Sequence, residues 1–158
     1  VNPVANADVL VVDASIAVKW VVEEDGTAAA LALRDRGRLI APELLVPECA
    51  NILWKKTQRS ELSKAQALLA TRLLQRADIE LVPTRVLLAS ATEIAIDLNH
   101  PAYDAVYLAL AVARECRLVT ADARLLRSLS RGDRADLREI AIPLLTETRR
   151  SRRDWSTS

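Results

Sequence analysis

Two stretches of this sequence end an apolar run at or beside an aspartate, and together they set the architecture. Val9–Val12 reads VLVV, β-branched at three of four positions, and stops at Asp13. Leu118-Val119-Thr120 is followed, after one alanine, by Asp122. Neither run alternates apolar with charged residues, so a strand built from either is apolar on both faces and needs cover on both. Segments with helical spacing supply that cover: Ser15–Val22, Thr27–Arg36 ending at Gly37, a helix from Pro47 to about Thr57, Ser63–Arg76 capped by Ser63, Arg85–Leu98, Ala102–Glu115, and Ala123 to about Leu129. Leu39-Ile40-Ala41 and Ile79–Val82 read as further strands, and Glu139–Ile142 as a last one. Strands alternating with helices predict an α/β fold in three layers, a central parallel sheet of four to five strands flanked by helices.

At 158 residues the chain has room for one domain. Residues 1–148 are expected to form it, with 149–158 a disordered Arg-rich tail. The tail holds four Arg and one Asp; taking its +3 from the chain's +1 leaves the body at −2. That body is not a generally basic surface, so any nucleic acid must be met by local Lys and Arg or through a metal. With no Phe and only three Trp and two Tyr, base-stacking modules are disfavoured. Trp20 and Trp54 lie among apolar helical neighbours and are expected in the core. Cys49 and Cys116 sit in apolar helical patterns without a CxxC or a nearby His, which predicts two inert core thiols. No segment approaches the roughly 20 apolar residues of a membrane span, and the apolar start Val9–Val22 is broken by Asp13 and Lys19. A cytoplasmic protein with no membrane partner is expected.

Most acids in any chain are solvated surface charge, and Glu23, Glu24, Asp25, Asp133 and Asp136 are assigned to that class. Four others resist it. Asp104 is the one charged residue in AYDAVYLALAVA, with Tyr107, Leu108 and Ala111 at i+3, i+4 and i+7; a carboxylate there needs a partner or a shifted pKa, or it is a first-turn acid stabilised by the helix dipole. Asp13 and Asp122 sit near the carboxyl ends of predicted strands, where parallel sheets bind ligands, though each also suits an N-cap. Glu48 falls in the first turn of its helix, a favourable dipole position in its own right, with Asn51 three residues on and able to hydrogen-bond it. Ser15 and Thr120 flank the acids and read either as local caps or as hydroxyls that fix a carboxylate or a metal-bound water. His100, the only histidine, reads as a solvent-facing turn residue, with a general base as the alternative. Carboxylates converging on one site repel by about 4 kcal/mol per pair at 4 Å and an effective dielectric near 20. A divalent cation relieves this, and an all-oxygen, His-free donor set selects Mg²⁺ or Mn²⁺ over zinc. Metal-assisted phosphodiester hydrolysis is the chemistry that fits.

VVDASIAVKW, PECANILW, PAYDAVYLALA and LVTADARLL, in that order, resemble the PIN domain and, more closely, the VapC-type toxins of bacterial toxin–antitoxin pairs. The resemblance runs from Val9 to Ile142. It implies that Asp13, Glu48, Asp104 and Asp122 are an acidic quartet holding Mg²⁺ or Mn²⁺, and that Ser15 is the hydroxyl two residues after the first acid. It further implies RNA cleavage, with structured RNA such as tRNA among the substrates, a homodimer, and inhibition by a cognate antitoxin. Ala123, Arg124 and Leu125 stand where some relatives carry a further acid, which weakens the case for a second metal site. A catalytically silent PIN-like module that binds RNA or protein is the alternative, and retention of all four acids argues against it. A receiver or dehalogenase-like phosphate-transfer fold fits less well, since Asp13-Ala14-Ser15 is not DxD and no Lys follows Lys64. An antitoxin helix could lie in a groove between Ser63–Arg76, through Leu68 and Leu73, and the helix carrying Glu48, Ile52, Leu53 and Trp54. The competing reading places both stripes in the core or a dimer interface.

Overall fold

The computed structural model describes residues 9–145. The Arg149–Ser158 tail, and with it the expected boundary at residue 148, lies outside them. In chain order the elements are β1 (Val9–Val12), α1 (Ala14–Ala17) running on as a 3-10 turn (Val18–Trp20), α2 (Thr27–Leu33), β2 (Arg38–Pro42), α3 (Leu45–Gln58), α4 (Lys64–Gln75) and β3 (Glu80–Val82). A 3-10 turn (Thr84–Leu87) then leads to α5 (Leu88–Leu98), α6 (Ala102–Ala113), β4 (Arg117–Thr120), α7 (Ala123–Arg131), α8 (Ala135–Ile140) and β5 (Ala141–Pro143).

The five strands form one parallel sheet in the order β3-β2-β1-β4-β5. β1 pairs with β4 through Val11 opposite Leu118, and with β2 through Leu10 opposite Leu39. Strand order therefore reverses at β1: β2 and β3 extend to one side, β4 and β5 to the other. The crevice outside the carboxyl ends at such a switch point is where open parallel sheets bind ligands. As expected, β1 and β4 are adjacent and central, which puts Asp13 and Asp122 at the same edge.

Alternate side chains along each strand feed two cores. Val11, Ile40 and Leu118 join the large core with Ile94 of α5 and Leu108 of α6, whereas Val12, Leu39 and Val119 pack with Ile16, Ala30 and Leu33. Every residue of α6 from Ala105 to Ala111 is buried. A helix apolar all round needs cover on every side, and α6 has it from α5, α8 and the strands β1, β2 and β4.

Several boundaries differ from the sequence expectation for local physical reasons. α3 begins two residues before Pro47, so the proline is its third residue. That position is still tolerated, because the first-turn N–H groups have no intrahelical acceptor. α4 starts at the expected cap, and Gln66 completes a capping box with Ser63. The expected strand Glu139–Ile142 is corrected: Glu139 and Ile140 close α8, and only Ala141–Pro143 pairs, alongside β4. Trp54 is also corrected, being 55% exposed on α3, while Trp20 packs against both cores and donates Nε1–H to the Ala30 carbonyl at 2.9 Å. Cys49 and Cys116 are buried free thiols, and burial pushes the Cys49 thiol up to about 12.

Candidate active site

Four acids reach one end of the sheet from four elements. Asp13 follows β1 directly, Glu48 is in the first turn of α3, Asp104 in the first turn of α6, and Asp122 caps α7 just beyond β4. Glu48 lies in the field of all three others, and Asp13 in that of Asp104.

Asp13 is the most tightly held. It caps α1, with Oδ1 accepting from the Ile16 N–H at 3.3 Å and from the Ser15 hydroxyl, while Oδ2 accepts from the Thr120 hydroxyl. Each hydroxyl is then tied to the β4–α7 loop: Ser15 Oγ accepts from the Ala121 N–H and Thr120 Oγ1 from the Asp122 N–H, both at 3.0 Å. Ser15 and Thr120 thus fix a carboxylate and lock the two strand ends together. Asp13 is 8% exposed. Burial raises its carboxyl to about 6, the hydrogen bonds from Ser15, Thr120 and Ile16 oppose that rise, and the charge of Asp104 adds to it.

Asp122 is the N-cap of α7, its Oδ1 accepting from the Arg124 N–H at 2.8 Å. The cap does not withdraw it from the cluster, since its charge still acts on Glu48. Glu48 is half-buried, and burial raises its carboxyl above the usual range, with the charges of Asp104, Asp13 and Asp122 adding to the rise. Tyr107 on the buried α6 faces it closely enough to counter that rise in part. Even so, Glu48 Oε1 and the Tyr107 hydroxyl are both buried without a partner at hydrogen-bond geometry. Asn51 is exposed and makes no bond to Glu48, so it does not play the expected supporting role.

His100 overturns its sequence reading. Its side chain is only 9% exposed and bridges two elements, with Nδ1 2.8 Å from Ser128 Oγ on α7 and Nε2 2.6 Å from Asp104 Oδ2. Asn99, in the left-handed conformation at φ 48°, ends α5 and turns the chain to place it there. Asp104 is consequently not an orphan on an apolar face: it sits about a quarter exposed at the mouth of α6 with a histidine partner. The spacing of four from His100 to Asp104 was the available signal; Ser128, Tyr107 and their roles had none in the local pattern.

Among the described residues, no three His, Cys, Asp or Glu side chains are gathered closely enough to ligate one ion together. The donor set nevertheless fits a hard cation. All four acids offer oxygen, the charge of Asp104 adds to the burial that raises the Asp13 and Glu48 carboxyls, and Glu48 carries a buried oxygen with nothing bonded to it. Mg²⁺ characteristically takes only one or two carboxylates and keeps several waters, so it does not require a closed cage.

Comparison with known proteins matches the PIN domain model over residues 10–131. The chain belongs to the PIN domain family. Within it, the chain is 39% identical over 116 residues to the VapC ribonuclease Mb0985 of Mycobacterium bovis and, to the same extent, to ribonuclease VapC9 of Mycobacterium tuberculosis. Each match covers 73% of this chain and 87% of the relative. Two crystal structures share the fold of this PIN domain. PAE2754 from Pyrobaculum aerophilum matches with a TM-score of 0.57 at 23% identity, over 89% of this chain and 92% of that one. VapBC2 from Rickettsia felis, bound to a DNA fragment from its promoter, matches with a TM-score of 0.59 at 14% identity, over 85% and 98%. The acids thus stand at the carboxyl edge of a PIN sheet.

Proposed function

We propose that this PIN domain is an endoribonuclease dependent on Mg²⁺ or Mn²⁺, acting as the toxin of a toxin–antitoxin pair. The observation that carries the reading is the convergence of charge on Glu48: beyond the rise that burial causes, three further carboxylates push its carboxyl up, and its buried Oε1 has no partner. The ribonuclease names of relatives 39% identical support RNA as the substrate, and structured RNA such as tRNA is the class to test first.

Asp13, Glu48, Asp104 and Asp122 are the residues that would hold the cation. A bound divalent ion lowers the pKa of water and stabilises charge on a phosphodiester under in-line attack. The protein's own part is positional. Ser15 and Thr120 keep Asp13 in one rotamer, and His100 does the same for Asp104. His100 has both ring nitrogens engaged, by Ser128 and Asp104, so it is not the group that takes a proton from the attacking water.

An inhibitor has a surface to use. Trp54 on α3 and Leu68, Leu69 and Leu73 on α4 are 47–57% exposed, and α3 packs on α4. The core reading of these side chains is thereby set aside, although Leu53 is buried and Ile52 partly so. An amphipathic antitoxin helix fits this surface. A homodimer is proposed on the family resemblance.

The silent-module reading rests on the acids not being closed around one point. Sequencing RNA 5′ ends after inducing the wild-type chain and Asp104→Asn separates the two. The nuclease reading expects new ends at a few positions with wild type alone; identical end profiles in both support the silent module.

A further inference from the structure

We infer that a basic cleft beside the acidic cluster is the binding track for the RNA backbone flanking the cut, with Lys55 and Arg59 as its phosphate contacts. This deepens the nuclease reading and rests on it. The cleft encloses about 270 Å³. Ser15 and Ala121, already joined by a hydrogen bond at the site, line it together with four cations, Lys19, Lys55, Lys56 and Arg59, one acid, Glu24, and the apolar Val18 and Ile52.

The spacing along α3 explains the placement. From Glu48, the residues at +4, +7, +8 and +11 are Ile52, Lys55, Lys56 and Arg59, so all share one face of the helix. At ~1.5 Å per residue, Lys55 lies roughly 10 Å and Arg59 roughly 17 Å along the axis from the acid. Those distances exceed the reach of a single phosphodiester, so the cations meet phosphates along the strand and leave the scissile one to the acid cluster.

The four cations are not equivalent. Glu24, about a quarter exposed, accepts from Lys56 at 2.7 Å and from Lys19 at 3.1 Å, and Lys19 also donates to the Asp25 carbonyl at 2.8 Å. Burial acts to raise the Glu24 carboxyl, but the two lysines overcome it and hold the group below the usual carboxylate range. Glu24 is therefore corrected from a solvated surface acid to the post that fixes two lysines in the cleft wall. Lys56 also donates to Glu61 at 3.1 Å, so two carboxylates match these two lysines and the excess positive charge of the cleft rests on Lys55 and Arg59. Lys55 is exposed and makes no ion pair among the described residues, and Arg59 is 70% exposed with only a 4.0 Å contact to Glu61. These two are free to meet a ligand.

Two features select the ligand as a nucleic-acid backbone. No aromatic side chain lines the cleft, so nothing there stacks a base. The cations offer charge without a bidentate base-reading arrangement, which positions a strand without reading its sequence. Another cavity, of about 710 Å³, does not compete. It lies at the amino-terminal edge of β2, away from the acids, and mixes Arg34 and Arg38 with Asp35, Asp78 and Glu80.

The test is fluorescence anisotropy of a labelled single-stranded RNA of mixed sequence, with Ca²⁺ in place of Mg²⁺, across a salt series. Lys55→Ala/Arg59→Ala is compared with wild type and with Arg36→Ala/Arg76→Ala, which removes equal charge from the turns preceding β2 and β3. Losing two phosphate contacts should flatten the log–log salt slope by about 1.4 units, since each contributes about 0.7 on a single strand. The effect should be the same for a second RNA of different sequence, and the control pair should match wild type. An unchanged slope in Lys55→Ala/Arg59→Ala, or an equal change in the control, overturns the track while leaving RNA cleavage by wild type intact. If wild type neither binds nor cuts RNA, the nuclease reading falls and the track with it.

Discussion

The fully buried hydroxyl of Thr120, at the end of β4, donates to the carboxylate of Asp13, at the end of β1. The same oxygen accepts the Asp122 N–H at 3.0 Å. One side chain thus ties together the two acids that the sheet delivers to its switch point. Thr120→Val keeps the shape and removes both bonds. It leaves the buried Asp13 Oδ2 without its donor and the part-buried Asp122 N–H without its acceptor, which costs about 2 kcal/mol, and it removes a bond that holds the Asp13 pKa down. The expected outcome is a lower melting temperature together with an Mn²⁺-binding pH profile displaced upward. A variant that melts lower with an unmoved profile would leave Thr120 a merely structural residue.

Asp104 acts on its neighbours by charge, raising the pKa of both Asp13 and Glu48. Asp104→Asn removes that repulsion while retaining a hydrogen-bonding group opposite His100. It should abolish RNA cleavage yet melt in EDTA at or above the wild-type temperature. A melt several degrees below wild type would show that Asp104 serves the fold.

The raised Asp13 pKa makes opposite demands on the metal-free and metal-bound forms. The folded carboxyl titrates at about 6 and its unfolded counterpart near 3.8, so between these values the folded state holds the extra proton. Metal-free stability should therefore fall as pH rises from about 4 to about 6, by roughly 3 kcal/mol at most. Cation binding must displace that proton, so Mn²⁺ affinity should weaken below about pH 6. Calorimetric melts in EDTA and Mn²⁺ titrations over this range test both directions.

His100 orients Asp104 through Nε2, and Ser128 orients His100 through Nδ1. Removing such an outer partner typically costs 10–100-fold in metal affinity or activity. His100→Ala should weaken Mn²⁺ binding at least about tenfold, and Ser128→Ala should weaken it in the same direction by less. Isothermal titration calorimetry reads this without any RNA, and unchanged affinity in His100→Ala would remove it from the site.

Leu68 and Leu73 are half-exposed on α4, so Glu at either position is expected to leave the fold and the metal-dependent cleavage intact. If an antitoxin helix docks on α3 and α4, these substitutions should weaken co-purification with the product of the neighbouring open reading frame. Equal recovery with wild type would place the inhibitor elsewhere.

How much of this could be read from the sequence depended on whether the determinant was local. VLVV and Leu118-Val119-Thr120 specify buried parallel strands by composition, and a parallel sheet then forces Asp13 and Asp122 to one edge. The Ser63 cap was legible because it closes on Gln66 three residues away. The failures involve partners distant in sequence. Glu24 looks solvated until the fold brings Lys56 to it from 32 residues on, and His100 looks like a turn residue until Ser128 arrives from 28 residues on. Glu139 and Ile140 were misread because a six-residue helix gives too short a period to outweigh one β-branched residue. Trp54 was misplaced because apolar neighbours in sequence do not say which face of a helix is covered, and its face is not.

The most direct test of the account is the cleavage of total tRNA by the purified chain under three conditions: with Mn²⁺, with excess EDTA, and with Mn²⁺ added back after EDTA. Asp13→Asn and Asp122→Asn are run alongside. The account predicts defined fragments with Mn²⁺, none in EDTA, recovery on adding the ion back, and none from either variant under any condition. Equal fragment yield in EDTA, or from Asp13→Asn, would contradict it.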